Sequence, residues 1–275
     1  NKIDSYTFGL LQGESEYYIA INEDRRRAIF HKDRPNNPIS QWWDNMYSNG
    51  LPQGKSEYYI AKNSNNKYAI FHKDNPSEPV SLWWNEVHGA GLVNNESEYY
   101  IVKNQHQLEA IFHISDPNEP ISQWWRLVYP DGLVKNKSKY YIVQDNNKRE
   151  AIFHIDNPDK PISQWHYSVY SLGLVNGTSQ CYGTLQTDFT IQIYHSNNTL
   201  VPLYELSTKY TGFLLYLNEE IVLYLDDEHL MMYDVENMEH HAVNSLPIDI
   251  QNLIYNVVYD GEWNYLDNTT TDELI

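Results

Sequence analysis

Histidine recurs at a fixed step of 41 residues, and each copy belongs to a motif that could do chemistry. The series is His31, His72, His113, His154 and His195. In the stretch AIFHKDNPSEPVSLWW, residues 69–84, the imidazole stands with a carboxylate and two indoles. These groups serve metal binding, proton transfer and stacking on sugars. Either a reactive site or a structural element has therefore been repeated.

The histidine series favours a structural role. A zinc site needs three or four ligands that converge on one point, whereas neighbouring packed layers lie about 10 Å apart. The nearby acid also varies, because Asp33 and Asp74 correspond to Ser115 in the third copy. We interpret each histidine as a strand-end residue whose ring bonds a backbone or hydroxyl partner. We predict no metal and no other cofactor.

Paired tryptophans follow the proline segment in the first three copies, with Trp165-His166 in the fourth, and form either a buried seam or a stacking platform. The apolar residues Val80, Trp83, Trp84 and Val87 follow the spacing i, i+3, i+4, i+7, which is typical of one face of a short helix. A buried helical seam is the favoured interpretation. If aromatic surface is exposed, the tyrosine doublets such as Tyr58-Tyr59 are better candidates, since strand alternation sends their members to opposite faces.

Each 41-residue copy reads as two strands followed by a helix. The runs SEYYIVKN (97–104) and EAIFHI (109–114) predict a hairpin. Ser122 then stands at a helix N-cap position, and Gly132 where a left-handed residue would close the helix. One such copy cannot bury both of its sides, so neighbours must stack. The sequence predicts an α+β repeat protein whose tandem β-β-α units form a curved array.

The regular register ends in the last third of the chain. Four clear copies occupy residues 1–173, while residues 174–275 keep Ser179, His195 and Pro202 in step. A further hairpin over residues 220–235 and a helix after Ser245 are predicted there. Residues 174–275 are expected to be divergent acidic repeat units or a small α+β domain. Divergent units are favoured because terminal repeats are commonly atypical.

In layout, residues 9–178 resemble the bacterial WG-type repeats. A Gly-Leu step, an apolar strand, a KYAIFH-like strand and an aromatic segment recur, as in GLVNNESEYYIVKN and GLVKNKSKYYIVQD. The Trp-Gly pair that names that family is absent, and tryptophan falls in the predicted helix. The resemblance implies a repeat scaffold and transfers no catalytic residue to this chain.

The charge is concentrated at one end of the chain. Residues 1–173 contain 21 acidic and 18 basic residues, a net charge of −3, whereas residues 174–275 contain 16 acidic residues and one basic residue, Lys209, a net charge of −15. Binding to nucleic acid needs a basic footprint, so nucleic acid is not an expected partner. No apolar run reaches the roughly 18 residues that cross a bilayer, so we expect no membrane insertion.

The single cysteine, Cys181, excludes an intramolecular disulfide and favours a reducing, cytoplasmic compartment. Export after removal of a leader is the alternative, since the chain begins with Asn. The oligomeric state is not indicated by the sequence.

Catalytic motifs are missing from the sequence. It contains no phosphate-binding glycine loop, no G-x-S-x-G, no H-E-x-x-H and no C-x-x-C. The dense cluster of His240 and His241 with Glu236 and Glu239 falls in a predicted loop. We therefore expect no enzymatic activity.

The hairpin tips differ most between copies: NEDRRR (22–27), NSNNKY (63–68), NQHQLE (104–109) and DNNKRE (145–150). Repeat proteins commonly bind through surfaces that their constant frame presents. The favoured function is a non-enzymatic scaffold that binds a protein partner, with a basic partner expected at the acidic C-terminal surface. The candidate partner-binding residues are Arg25, Arg26, Arg27, Asn65, Asn66, His106, Gln107, Asn147, Lys148, Asp226, Asp227 and Glu228.

Two alternatives remain open. One is an acidic inhibitor or immunity-type protein that occupies a basic site on its target, in keeping with the charge of residues 174–275. The other is a carbohydrate-binding repeat protein with one aromatic site in each unit, which would make a glycan the partner.

Overall fold

Small antiparallel sheets make up most of the regular structure. The computed structural model describes residues 2–6, 8–207, 213–226 and 229–259. In this part of the chain, the strands form six sheets of three or four strands. The chain divides into two compact units, one of residues 1–148 and 153–160 and the other of residues 149–152 and 161–275. The expected boundary at residue 173 stays a prediction.

The first compact unit contains eleven complete strands within the described residues. They are β1 (Lys2–Tyr6), β2 (Tyr17–Asn22), β3 (Arg27–His31), β4 (Asn45–Met46), β5 (Tyr58–Lys62), β6 (Tyr68–His72), β7 (Glu86–Val87), β8 (Tyr99–Lys103), β9 (Glu109–His113), β10 (Leu127–Tyr129) and β11 (Tyr140–Gln144). Its helical segments are α1 (Phe8–Leu11), α2 (Asp131–Val134) and a 3-10 turn at Leu51–Gln53.

The predicted hairpins are confirmed. Strands β2 and β3, β5 and β6, and β8 and β9 pair antiparallel in the same register, with Ile60 opposite Ile70 in the second copy and Ile101 opposite Ile111 in the third. Strands β1, β4 and β7 add a third strand to these sheets, and β10 pairs with β11. The isoleucines, alanines and phenylalanines of the hairpins are almost completely buried and form the core of each sheet.

The predicted α+β repeat of β-β-α units in a curved array is wrong, because the third element of each unit is extended chain. In the second copy, the N–H of Trp84 donates to the carbonyl of Tyr68 at 2.8 Å, and the N–H of Tyr68 donates back at 2.7 Å. Two residues later the chain enters β7, which pairs with β8 of the next copy. The segment therefore lies first along one sheet and then along the following one.

Ser81 does not cap a helix. Its hydroxyl oxygen accepts a hydrogen bond from the N–H of Ile70 at 2.9 Å, and the hydroxyl donates to the carbonyl of Leu82 at 3.0 Å. Ser40, Ser122 and Ser163 make the same pair of bonds. The conserved spacing of this serine within the chain thus holds the extended segment against the edge of its own hairpin.

The tryptophan doublet has a physical reason in this extended geometry. Successive side chains of an extended chain point to opposite sides, so Trp83 contacts Phe71 of its own copy and Trp84 contacts Phe112 of the next. The ring centroids lie 5.8 Å and 5.3 Å apart. Trp43 likewise contacts Phe71, at 5.1 Å. The doublet packs between neighbouring sheets. The helix-like spacing of the apolar residues in this segment extends over four positions only.

The glycine that follows this segment begins, and does not end, a helical turn. Gly50, with φ of 76°, directly precedes the 3-10 turn at Leu51–Gln53. Gly91 has the same φ. A Cβ atom at Gly91 would meet the carbonyl oxygen of Tyr99 and Cγ1 of Val134. Only glycine fits here, because the backbone is left-handed and closely packed at once.

The second compact unit contains two four-stranded sheets and one longer helix. Its complete strands are β13 (Ser168–Val169), β14 (Cys181–Leu185), β15 (Thr190–His195), β16 (Tyr204–Ser207), β17 (Phe213–Leu217), β18 (Ile221–Asp226), β19 (His229–Asp234) and β20 (Glu239–Ala242), and the strand β12 (Glu150–His154) contains the point of division. In each sheet the strands pair in chain order. A 3-10 turn at Val243–Ser245 precedes α3 (Ile248–Tyr259), so the helix expected after Ser245 is confirmed. Ile254 and Val258 of α3 pack with Leu223 and Val243.

Candidate functional site

The hairpin tips share one backbone conformation. In all five copies the N–H of the fourth tip residue donates to the carbonyl of the first, at N···O distances of 3.0–3.1 Å. The side chain of the first residue, an Asn or Asp in four copies, also accepts N–H bonds from within the turn. The tips are therefore rigid frames that present different side chains from the same positions.

The fourth residue of every tip has a left-handed backbone without being glycine. The five residues have φ between 59° and 66° and are Arg25, Asn66, Gln107, Lys148 and Phe189. All five are exposed. A left-handed conformation costs a non-glycine residue about 1–2 kcal/mol, and only asparagine tolerates it well. The fold alone would favour Gly or Asn at each of these positions.

Tips two, three and four of the first compact unit are neighbours. The turn residues 22–26, 63–67, 104–108 and 145–148 are here called the tip rim. A cleft of about 280 Å³ is lined by Lys67 of the second tip, residues 104–106 of the third, and the indoles of Trp83, Trp84 and Trp124. We call it the tryptophan groove.

A second cleft of about 500 Å³ lies between the third tip and Asn146 of the fourth, and Lys103 and Arg126 line it. We call it the arginine cleft. His106 lines both clefts. The third tip is therefore the centre of the tip rim.

The candidate residues chosen from the sequence have different surroundings. Arg25, Asn65, Asn66, Asn147 and Lys148 are exposed on the tip rim, and His106 and Gln107 line the clefts. Two arginines have intramolecular partners: Arg26 Nε lies 3.6 Å from Asp44 Oδ1, and Arg27 donates to Asn45 Oδ1 and to the carbonyl of Met46. Asp226 ends β18, and Asp227 and Glu228 lie outside the described residues. Sequence reasoning missed the tryptophans, Lys67, Lys103 and Arg126 as cleft residues.

The repeated histidines lie at the opposite ends of the hairpins from the tips. In all five copies the N–H two residues further along donates to histidine Nδ1 at 3.1–3.2 Å. In the first three copies Nε2 also lies 3.2–3.3 Å from a glutamate, Glu16, Glu57 or Glu98. Since Nδ1 accepts, Nε2 carries the proton that is donated to the glutamate. The predicted backbone-bonding role of the histidines is seen in these contacts.

The second copy brings potential metal ligands together. Ligand atoms of Glu57, His72 and Asp74 lie within 4.8 Å of one another. However, the Lys73 ammonium lies 2.8 Å from Asp74 Oδ1 and 3.1 Å from Glu57 Oε1. The hydrogen bonds that Lys73 donates to Asp74 and Glu57 raise the pKa of Lys73, and Lys73 lowers the pKa of both carboxyls. The lysine thus supplies the positive charge that a metal would supply to these carboxylates.

A buried carboxylate contacts Lys103, one of the residues that line the arginine cleft. Glu109 is only 3% exposed, and its Oε2 accepts the N–H of Val128 at 2.8 Å while Oε1 lies 3.3 Å from Lys103 Nζ. Burial by itself would raise the pKa of Glu109, but the nearby His88 imidazole, the Val128 N–H bond and the positive charge of Lys103 hold it below its usual range. Glu109 thus joins the third hairpin to strand β10, next to Arg126.

We expect Glu109→Gln to lower the free energy of unfolding by about 2 kcal/mol, because it removes a buried charge-assisted bond and leaves Lys103 less well paired. Denaturant unfolding measures this change. Glu98→Gln is the matched control, since the Glu98 side chain is 74% exposed and a surface pair contributes about 0–1 kcal/mol. Equal losses in the two variants would contradict the assignment of Glu109 as a buried structural carboxylate.

The histidine and acid cluster near the C-terminal end takes part in sheet packing. His240 and His241 lie in β20, not in a loop, and His240 Nδ1 lies 2.8 Å from the Tyr224 hydroxyl. His241 Nε2 lies 3.5 Å from Glu239 Oε2. Among the described residues, no helix is long and apolar enough to cross a membrane.

No protein-family model matches the chain, and no curated protein matches it in sequence. The resemblance to WG-type repeats therefore stays a prediction. Among solved structures, Kluyveromyces lactis Hsv2 is 12% identical with a TM-score of 0.40, over 85% of this chain and 76% of that chain. The crystal structure of the C-terminal WD40 domain of Sif2 is 11% identical with a TM-score of 0.37, over 87% of this chain and 71% of that chain. Nothing about function follows from scores of this size.

Proposed function

We propose that the chain is a non-enzymatic repeat scaffold that binds a protein partner through the tip rim. The observation that carries this proposal is the constant left-handed position of the tips. Arg25, Gln107 and Lys148 occupy it, exposed, although each is conformationally unfavourable there. Strained residues on an exposed, rigid frame are typical of functional surfaces. Three of the four tips of the rim therefore have a residue for which the left-handed backbone is unfavourable.

The clefts support the same surface. The tryptophan groove and the arginine cleft add concave surface beside the third tip, and His106 lines both. Concave sites with aromatic walls and a few polar groups are typical binding sites. Tryptophan and arginine are also the residues that most often dominate binding energy at protein interfaces.

Glycine substitution at the left-handed positions tests the proposal. The triple variant Arg25→Gly, Gln107→Gly and Lys148→Gly is expected to fold with an unchanged or higher Tm, because glycine relieves about 1–2 kcal/mol of backbone cost per position and loses a similar amount in unfolded-chain entropy. The same variant is expected to lose the proteins that the wild-type chain captures from an extract of its source organism. Quantitative mass spectrometry of the captured proteins measures the loss.

A matched control separates the tips from charge alone. The control variant Arg34→Gly, Asn118→Gly and Lys160→Gly also removes two positive charges, but from exposed positions on the proline segments. This control is expected to capture the same proteins as the wild type. If the tip variant and the control retain the same proteins in the same amounts, the tip rim is not the binding surface.

The acidic second compact unit supports a separate surface for a basic partner. From Pro161 to the end of the chain, Lys209 is the only Lys or Arg. Glu219 and Glu220 are exposed beside β17 and β18. The inhibitor alternative uses this charge, and binding to it would weaken steeply with salt. The carbohydrate-binding alternative has less support, because the second tyrosines of the doublets, Tyr59, Tyr100 and Tyr141, are completely buried.

A further inference from the structure

We infer that the tip rim binds an acidic peptide segment that carries one large apolar side chain. This inference rests on the proposed function and names the chemistry of the partner at the same surface. The carboxylates of the segment would lie in the arginine cleft and its apolar side chain in the tryptophan groove. Such a partner is opposite in charge to the basic partner expected from the net charge of the sequence.

The arginine cleft has positive charge that the chain does not neutralise. The Arg126 side chain is half-buried, and no acidic side chain pairs with it among the described residues. Lys103 is different, since its Nζ lies 3.0 Å from Glu86 Oε2 and 3.3 Å from Glu109 Oε1. Arg126 is therefore the group available to an anion. A guanidinium forms paired hydrogen bonds with a carboxylate, which is the strongest charged contact that a protein partner can offer it.

The tryptophan groove accepts an apolar group and donates hydrogen bonds around it. The half-buried Trp84 and Trp124 both line the groove, with ring centroids 5.5 Å apart and an interplanar angle of 50°, so they give it an aromatic wall. Asn85, Asn104 and Gln105 line the same groove and can donate to peptide carbonyls. Lys67, which donates to Asn85 Oδ1, brings a positive charge to the groove and disfavours a cationic side chain there.

No carboxylate lines either cleft among the residues that the structure describes. The two clefts meet at His106, so one extended segment can occupy both. A single-stranded nucleic acid would also stack on tryptophan, but it needs a track of several cations along its backbone. Arg126 is the one guanidinium that lines the two clefts. The observations therefore favour a short acidic peptide.

Fluorescence anisotropy with the full chain and four labelled probes tests the inference. The probes are a twelve-residue Asp/Glu-rich peptide with a central phenylalanine, its Lys-rich counterpart, the acidic peptide with alanine for phenylalanine, and a twelve-nucleotide oligothymidine. The acidic phenylalanine peptide is expected to bind at least tenfold more tightly than each of the other three. Equal or tighter binding of the Lys-rich peptide would overturn the inference, and tighter binding of the oligothymidine would replace the peptide with nucleic acid.

Three arginine variants locate the binding. Arg126→Gln is expected to weaken binding of the acidic peptide about tenfold, as for one charge-assisted contact, while Arg126→Lys retains part of it and Arg34→Gln leaves it unchanged. Circular dichroism of each variant checks that it folds. An equal effect of Arg126→Gln and Arg34→Gln would contradict the arginine cleft as the site.

Failure of the acidic-peptide inference can be distinguished from failure of the proposed function. If the glycine tip variant loses its captured proteins while no acidic peptide is preferred, the tip rim binds a partner of other chemistry and only the present inference fails. If the tip variant retains all captured proteins, the proposed function fails whatever the peptides do.

Discussion

Replacing Gly91 by alanine is expected to lower the free energy of unfolding by about 4 kcal/mol. Two costs add at this position. Its φ of 76° is unfavourable for alanine, and the new Cβ would overlap the carbonyl oxygen of Tyr99 and Cγ1 of Val134. Tyr99 begins the hairpin strand β8, so its carbonyl cannot move without disturbing the pairing. The closing turn between successive sheets would therefore be forced open.

Gly13→Ala is the control for this variant. Gly13 has a φ of 75°, almost the same as Gly91, but nothing lies within 4 Å of the position of its Cβ. Alanine at residue 13 is expected to cost only the left-handed term, about 1–2 kcal/mol. Denaturant unfolding of both variants gives the difference that belongs to close packing. If Gly91→Ala costs no more than Gly13→Ala, the tight approach at Gly91 is not part of the folded state.

In the variant His166→Phe, we expect the free energy of unfolding to fall much less on acidification than it does in the wild type. His166 replaces the second tryptophan of the doublet, is 7% exposed, and packs on Tyr194 with ring centroids 5.3 Å apart. Its Nδ1 lies 3.4 Å from Gln186 Nε2, and its Nε2 is buried without a hydrogen-bond partner among the described residues. Burial lowers the pKa of His166 from 6.5 to about 4.

The direction of the pH effect follows from this lowered pKa. The unfolded chain takes up a proton at this histidine near pH 6.5, while the folded chain does so only near pH 4. Stability contributed by the neutral ring is therefore complete above pH 6.5 and is lost as the pH falls towards 4, by about 3 kcal/mol.

Parallel unfolding measurements from pH 7 to pH 4 on the wild type and on His166→Phe isolate this residue, because all other titrating groups are common to both. The stability difference between them is expected to change by about 2–3 kcal/mol over that range. A difference that stays constant across the pH range would show that His166 is not buried as a neutral ring.

The hairpins were predictable from the sequence because their evidence is local. Runs such as YYIVK and EAIFH carry β-branched and aromatic residues on both faces, and the polar residues between them fit a tight turn. Repetition at a constant step then placed each equivalent residue. The helix of α3 was predictable for the same reason, since twelve residues give several turns of periodic apolar positions.

The extended tryptophan segment was not predictable in this way. Val80, Trp83, Trp84 and Val87 satisfy a helical spacing, but a pattern of four positions is also produced by a chain that is buried on both sides. What decides between them is tertiary: Trp83 packs on Phe71 and Trp84 on Phe112 of the next copy. The hydroxyl of Ser81 likewise fits an N-cap in sequence, and bonds the neighbouring strand in the structure.

The tip rim was partly predictable. Variation between copies identified the tips, and Arg25, Gln107 and Lys148 stand at its exposed left-handed positions. The clefts were not predictable, because they combine residues that are distant in the sequence, such as Lys67 with Trp124 and His106 with Asn146. The sequence also did not show which arginines have an acidic partner within the chain. Only the structure shows that Arg26 pairs with Asp44 whereas Arg126 lines a cleft.

Site-specific photocrosslinking tests most directly whether the tip rim is the partner-binding surface. A photoreactive amino acid is placed at Gln107, an exposed tip position, and in a second protein at Arg34, an exposed position on a proline segment. Irradiation in an extract of the source organism is expected to give a discrete crosslinked protein from residue 107 and none from residue 34. Crosslinking from residue 34 with none from residue 107 would contradict the tip rim as the binding surface.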